Sequence, residues 1–346
     1  MRDKRNCQVG SLCDGGIAMA LEVRNLVTSF RSSSGPVRAV DGVSFDLEAG
    51  RTLCIVGESG CGKSVTALSI MGLLPGNATV ESGEVWFRGR DLLAMSERER
   101  NQLRGKAISM VFQEPMTALN PVLTVGAQVA EVFLIHHSAD ATEARRRALA
   151  MLEKVQIPEA ARRFGDYPHQ MSGGMKQRVM IAMALAHGPD VLLADEPTTA
   201  LDVTIQAQVL RLLRELQQEL GIAIVFVTHD LAVVAEIADT VLVMYAGRVV
   251  ERADAVTIFE HAAHPYTRGL LASRPRPGQT RHGGALPVIP GRVPQPNERG
   301  PGCGYANRCE RAQSCCRDAA PALQALQRAG DASDHAIACF FPGVGA

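Results

Sequence analysis

Leu53-Cys54-Ile55-Val56-Gly57-Glu58-Ser59-Gly60-Cys61-Gly62-Lys63-Ser64 opens as four apolar residues of strand type and runs into a glycine-rich turn. A helix-prone run, Val65 to Leu74, follows. That context is what a nucleotide-phosphate loop needs. The glycines let the backbone turn tightly enough to aim successive N–H groups inward, and the following helix adds the positive end of its dipole. Lys63 is placed to reach the terminal phosphates of ATP or GTP and Ser64 to hold Mg²⁺.

Working outward, the composition is that of a globular protein. The chain has 346 residues, 46% hydrophobic and 21% charged, enough for two or three domains and a sizeable core. Thirty-six basic residues balance thirty-six acidic ones, so no global positive field recruits nucleic acid or anionic lipid. The longest apolar runs, such as Val241 to Ala246, fall far short of the roughly 20 residues that span a bilayer. Met1 to Ala18 has charges but no apolar stretch of signal-peptide type, so residues 1–18 read as a disordered extension. Met19, just before the strand-like Leu21-Glu22-Val23, is a candidate start. Nine cysteines without an export signal argue for a reducing compartment, where clustered thiols are metal ligands or spare thiols more often than disulfides.

From Ala20 to about Gly89, β-rich runs alternate with turn residues, which predicts an antiparallel layer with a hairpin tip at Ser32 to Pro36. Phe30 stands before that tip, either as an adenine-stacking aromatic or as a half-buried strand residue. Asp91 to Arg104 is charged and helix-prone, and Ile108 to Phe112 reads as a buried strand ending at Gln113. Val125 to Val132 and Thr142 to Val155 have helical patterning, as a helical insertion into an α/β core would. The apolar runs Val191 to Ala194 and Ile222 to Val227 flank a helix predicted over Val203 to Leu220. Strand, helix, strand at this spacing argues for a parallel, doubly wound sheet. Seven prolines between Arg274 and Pro301 mark an extended strap, and the tail beyond it carries five cysteines.

Nucleotide hydrolysis needs a second, carboxylate-bearing strand end, and Leu192-Leu193-Ala194-Asp195-Glu196 supplies one. Asp195 would bind Mg²⁺ through water, and Glu196 would act as general base on the attacking water. Met171-Ser172-Gly173-Gly174-Met175-Lys176-Gln177-Arg178 resembles the signature motif of ABC ATPases. In the family's order, Ala200-Leu201-Asp202 resembles its D-loop, Thr228-His229-Asp230 its switch histidine, Gln113 its Q-loop and Phe30 its A-loop aromatic. The family's usual Leu and Gln around Ser-Gly-Gly are Met171 and Met175 here. The resemblance implies a RecA-like P-loop NTPase core over residues 19–260, with an antiparallel β subdomain and a helical subdomain at about 114–175. It further implies two such domains paired head to tail around two ATP molecules. Each nucleotide would lie between the phosphate loop (Gly57, Glu58, Ser59, Gly60, Cys61, Gly62, Lys63, Ser64) with Phe30 and the partner's Ser172, Gly173, Gly174 and Asp202. Ser64, Gln113 and Asp195 would serve Mg²⁺, and Glu196, His229 and Gln113 the hydrolysis.

His264-Pro265-Tyr266-Thr267-Arg268-Gly269-Leu270-Leu271, Ile289-Pro290-Gly291-Arg292-Val293-Pro294 and the cysteine tail resemble the oligopeptide/dipeptide importer branch, as does Glu114 to Pro121. Residues 261–346 are then a Pro/Cys-rich C-terminal extension. Its thiols suit a [4Fe–4S] cluster, tetrahedral zinc or no metal at all, and the spacing is not that of short zinc motifs. The resemblance implies an iron–sulfur cluster on Cys303, Cys309, Cys316 and Cys339, with Cys316 rather than Cys315 in register. It also implies a subunit peripheral to the inner membrane on its cytoplasmic side, paired with a paralogous ATPase. Two transmembrane permeases and a periplasmic or lipoprotein peptide-binding protein would complete the importer, without nucleic acid. An importer for nickel or glutathione, or a soluble ABC ATPase, would carry the same core motifs.

Overall fold

The computed structural model describes residues 18–33, 35–113, 118–199, 201–274, 287–326 and 334–343. Most of the expected N-terminal extension, Glu114 to Thr117, Ala200 and much of the proline-rich strap lie outside the described residues. Two long strands, β1 (Met19–Ser32) and β2 (Gly35–Glu48), form the predicted hairpin. The strand β3 (Thr52–Val56) delivers the phosphate loop to α1 (Lys63–Met71). Next come β4 (Ala78–Phe87), β5 (Arg90–Asp91), α2 (Glu97–Leu103) and β6 (Ile108–Val111). The helix expected from Asp91 begins only at Glu97. Ser96 and Glu99 form a capping box there, while the Asp91 carboxylate turns the chain by accepting from Val85 N and Leu93 N at 3.0 Å.

Four helices follow: α3 (Val125–Ile135), α4 (Ala141–Lys154), α5 (Ala160–Arg163) and α6 (Gly173–Leu185). In α4 the buried residues Ala144, Ala148 and Leu152 fall at intervals of four, so one stripe packs inward and the arginines between them stay outside. The α/β alternation then resumes with β7 (Val191–Asp195), α7 (Val203–Leu220), β8 (Ala223–Thr228), α8 (Leu231–Ile237) and β9 (Thr240–Tyr245). The chain continues through β10 (Arg248–Asp254), α9 (Ala255–His261) and α10 (Pro265–Ala272). In the tail are α11 (Cys315–Asp318), β11 (Gln324–Ala325) and β12 (Ala336–Ile337).

These strands make two sheets. The first, in the order β2-β1-β4-β5, is antiparallel. The second has eight strands in the order β11-β12-β10-β9-β3-β8-β7-β6, with β9, β3, β8, β7 and β6 parallel. The central strands are apolar on both faces because both are covered. Leu53, Ile55, Leu193 and Val225 face the core shared with the antiparallel sheet, whereas Cys54, Val56, Leu192 and Ile224 face the helical side. Burial on two sides explains why these strands read as unbroken hydrophobic runs. No helix among the described residues is long and apolar enough to cross a membrane.

The tail finishes the large sheet. β12 pairs antiparallel with β10, and β11 with β12. A buried carboxylate fastens it: Glu251 accepts from Ala263 N at 2.7 Å, from His264 N at 3.0 Å and from His335 Nε2 at 2.8 Å. Burial alone would push this carboxyl up, but the bonds from His335 and the two backbone N–H groups outweigh it and hold it below the usual range.

Candidate functional site

In a parallel sheet the carboxyl ends of all strands open on one edge, and ligands bind in the crevice where the connections diverge. Here β3 ends in the phosphate loop, β7 in Asp195 and Glu196, β8 in Thr228 and His229, and β6 just before Gln113. The topology therefore gathers four segments that lie far apart in sequence.

The loop wraps tightly. Gly57 has φ +154°, and a Cβ there would stand 2.2 Å from the Met244 carbonyl oxygen, so no larger residue fits. Lys63 is buried, and its ammonium donates to the Gly57 oxygen at 2.8 Å and the Glu58 oxygen at 3.1 Å. Ser59 and Gly60 are exposed at the rim. Cys61 is buried and its thiol is pushed up by desolvation, so it packs as a small apolar residue and is not a reactive thiol.

Ser64 Oγ donates to Asp195 Oδ1 at 2.8 Å. Burial raises the Asp195 carboxyl, with Ser64 partly offsetting that cost. A buried carboxylate touching a hydroxyl at the first turn of α1 is a donor set suited to Mg²⁺, and the residues present fit that ion.

Glu196 occupies a backbone conformation unusual for a non-glycine residue, φ +45°, with its N–H donating to the Val227 oxygen at 2.9 Å. Its Oε2 accepts from Gln113 Nε2 at 3.2 Å and from Thr199 Oγ1 at 2.9 Å, with His229 Nδ1 at 3.1 Å. Lys63 Nζ lies 4.0 Å from the other oxygen. Burial pushes this carboxyl up, but the bonds from His229 and Thr199 prevail and it lies below the usual carboxylate range. It is thus ionised at neutral pH and able to accept a proton. Thr199 was not singled out by the sequence; its place three residues beyond Glu196 was the available signal.

The remaining expected residues lie apart from this cluster. Phe30 is half-buried in β1 between Val37 and Ala78. Ser172 caps α6, its hydroxyl accepting from Met175 N at 3.3 Å, and Ser172 and Gly173 are exposed. Gly174 lies so close to α7 that a Cβ would meet Ile205 Cγ2 at 2.5 Å. Asp202, also exposed, caps α7 by accepting from Ile205 N at 3.0 Å. The helix start at Ser172 is capped but exposed, a position at which backbone N–H groups can meet an anion.

Cys303, Cys309, Cys316 and Cys339 line one cavity in the tail, closed by Tyr305 and Phe341. Cys316 is buried, whereas Cys315 points to solvent. Burial pushes the Cys339 thiol up to about 11, and the nearby Cys303, Cys309 and Cys316 add to the rise. The sulfurs do not close into a coordination sphere: among the described residues no three His, Cys, Asp or Glu side chains form a metal-binding group. The four thiols lining this recess are donors of the type that holds a metal as thiolates.

The ABC transporter family model matches residues 40–199, and the model for the oligopeptide/dipeptide transporter C-terminal region matches residues 250–316. A probable peptide ABC transporter ATP-binding protein of Sinorhizobium fredii is 51% identical over 323 residues, 93% of this chain and 95% of that protein. The dipeptide transport ATP-binding protein DppD of Bacillus subtilis is 52% identical over 297 residues, 86% of this chain and 88% of that one. Its namesake in Escherichia coli is 49% identical over 306 residues, covering 88% and 93%. A dimeric ATP-binding cassette solved in a post-hydrolysis state with ADP and phosphate superposes with a TM-score of 0.61 at 30% identity. It covers 98% of that cassette but 68% of this chain, so about a third of the chain is additional to the shared core.

Proposed function

The chain belongs to the ATP-binding subunits of ABC transporters, and from that premise we propose that it hydrolyses ATP to drive import of di- and oligopeptides. The observation that carries the chemistry is the Glu196 carboxylate, ionised and oriented by Gln113, Thr199 and His229 within 4.0 Å of the phosphate-loop lysine. Peptide as the cargo is supported by the named relatives and by the match over residues 250–316.

In this reading residues 19–260 are the ATPase unit and 261–346 its extension. Lys63 leaves its two carbonyl partners for the terminal phosphates, and Ser64, Gln113 and Asp195 would hold Mg²⁺, which when bound would screen phosphate charge. Glu196 takes a proton from the attacking water, while His229 and Gln113 keep its carboxylate aimed. Phe30 stacks on the base. Ser172, Gly173, Gly174 and Asp202 act on the nucleotide of the opposing subunit, most of the rate gain being positional and electrostatic. The opposing subunit is a paralogue. Cys303, Cys309, Cys316 and Cys339 would hold a [4Fe–4S] cluster, which when bound supplies a covalent cross-link to a tail too small for a core of its own.

A peripheral position on the cytoplasmic face of the membrane requires a surface for the permeases. An apolar cleft of about 280 Å³ between β6, α1 and α6 is lined by Leu73, Met110, Phe112, Val132, Met180 and Met183. Phe112, immediately before Gln113, is 43% exposed in it. A permease segment seated there would reach the hydrolytic site through Gln113. The test is ATPase activity of the chain assembled with its permeases and solute-binding protein in lipid vesicles. Stimulation by di- or oligopeptides is expected; stimulation by nickel or glutathione instead would overturn the peptide assignment and leave the ATPase intact.

A further inference from the structure

Glu58, the second residue of the phosphate loop, is held from behind by two residues that the sequence places beyond the ATPase unit. Its backbone N–H donates to Tyr266 Oη at 2.8 Å. Both its carboxylate oxygens accept from Arg308 Nη1, at 3.0 and 2.9 Å. Its carbonyl oxygen is the one that accepts from Lys63 Nζ. Every polar group of this residue therefore has a partner, and two of the partners come from the C-terminal extension.

Neither anchor is a casual surface contact. Tyr266 is fully buried on α10, and its ring meets Tyr245 edge-on at 4.6 Å and tilts against Tyr305 at 5.4 Å. The Arg308 side chain is 7% exposed. Its Nε donates to the Pro290 oxygen at 2.7 Å and its Nη2 to the Ile289 oxygen at 3.3 Å, while Nη1 also reaches Tyr245 Oη at 3.2 Å. The guanidinium carbon lies 5.7 Å from the Tyr245 ring centroid and 5.9 Å from that of Tyr305. A guanidinium fixed by this many partners has little rotamer freedom left to lose.

The electrostatic consequence follows from where Glu58 stands. A loop built to receive a triphosphate carries a carboxylate, which would repel the ligand in a partly desolvated site unless neutralised. We propose that Arg308 and Tyr266 are positioning residues for ATP. Arg308 cancels the Glu58 charge and Tyr266 fixes its peptide, so the C-terminal extension sets the geometry and potential of the phosphate loop. Before nucleotide binds, the Glu58 carbonyl also holds Lys63 Nζ, so the same anchors set where that lysine starts from. The inference rests on the ATP-hydrolysing reading and is independent of which solute is transported.

The test is MgATP affinity of the full-length chain by calorimetry, paired with KM and kcat of the assembled transporter. Arg308→Met is expected to weaken MgATP binding by about tenfold and to raise KM more than it lowers kcat. Adding Glu58→Gln should restore most of the loss, since the charge that needed cancelling is gone; a purely structural role for Arg308 would give no rescue. Tyr266→Phe, nearly isosteric, should weaken binding by about threefold with the fold intact, which keeps the inference testable if Arg308→Met does not fold. Wild-type affinity in Arg308→Met and Tyr266→Phe, or a double variant as weak as Arg308→Met alone, would overturn it. No MgATP binding by the wild-type chain would instead remove the ATP reading, and this inference with it.

Discussion

His229 Nδ1 lies 3.1 Å from Glu196 Oε2, joining the end of β8 to the end of β7 across the edge where the nucleotide is expected. The histidine is 58% exposed and the carboxylate 10%, so the imidazole covers the carboxylate from the solvent side. Glu196→Gln keeps the size and hydrogen-bonding reach of the side chain but cannot take a proton. It should bind MgATP with near wild-type affinity and lose turnover by at least about 10²-fold. His229→Ala leaves the base unaimed and should lose a comparable factor in kcat with a smaller change in KM. Steady-state ATPase kinetics and nucleotide calorimetry on the same preparations check both; full turnover in Glu196→Gln would take the base role away from it.

Ser172 is exposed at a helix start while Lys63 is buried in its own loop, an arrangement that suits a site completed by a second subunit. Ser172→Arg should therefore leave the chain's own affinity for MgATP within about twofold while ATPase activity of the assembled transporter falls by at least about tenfold. Calorimetry of the isolated chain against activity of the complex separates the two. Equal losses in both would place Ser172 on its own chain's nucleotide and dismiss the head-to-tail pairing.

The parallel sheet was legible because its strands are buried on both faces, leaving Leu53 to Val56 and Ile222 to Val227 as unbroken apolar runs. The candidate site was legible for a related reason: Asp195, Glu196 and His229 stand at the ends of such strands, and Lys63 opens the helix beyond the glycine-rich loop that follows another. What sequence reasoning missed depends on contacts between distant segments. Arg308 meets Glu58 across 250 positions of chain. The pairing of β11 and β12 was equally hidden, since two-residue strands carry no periodicity and owe their register to β10.

The tail's attachment should be sensitive to acid. Burial holds His264 down to about 4, and its Nδ1 accepts from Tyr266 N at 3.1 Å, a bond that protonation would remove. An unfolded chain protonates this residue near 6.5, so the folded state loses stability as pH falls from about 6.5 to about 4, by up to about 3 kcal/mol. Glu251 adds to the loss with the same sign: its carboxyl is held below the ordinary value, so its contribution is full above that value and disappears as pH falls through the folded one. Thermal unfolding followed between pH 7 and pH 5 should show a falling midpoint. His264→Asn, which retains a capping side chain, should flatten the dependence in that window; an unchanged slope would acquit His264.

Cys315 and Cys316 are neighbours in sequence but face opposite ways, and that difference turns the cysteine cavity into a sharp test. Cys316 is buried and lines the recess with Cys303, Cys309 and Cys339, and its carbonyl accepts from Cys303 N at 2.8 Å. Cys315, on the outer side of α11, is exposed. If the recess holds a thiolate-ligated cluster, protein purified without oxygen should contain iron and acid-labile sulfide near four of each per chain. Cys316→Ser should abolish both, and Cys315→Ser should leave both in place. Ligand loss should also lower the thermal midpoint, because metal affinity contributes to folding where a small unit has little core. Stoichiometric zinc without sulfide in the wild-type chain would replace the cluster by a tetrahedral site on the same four thiols. Equal iron in wild type and Cys316→Ser would show that the metal lies elsewhere.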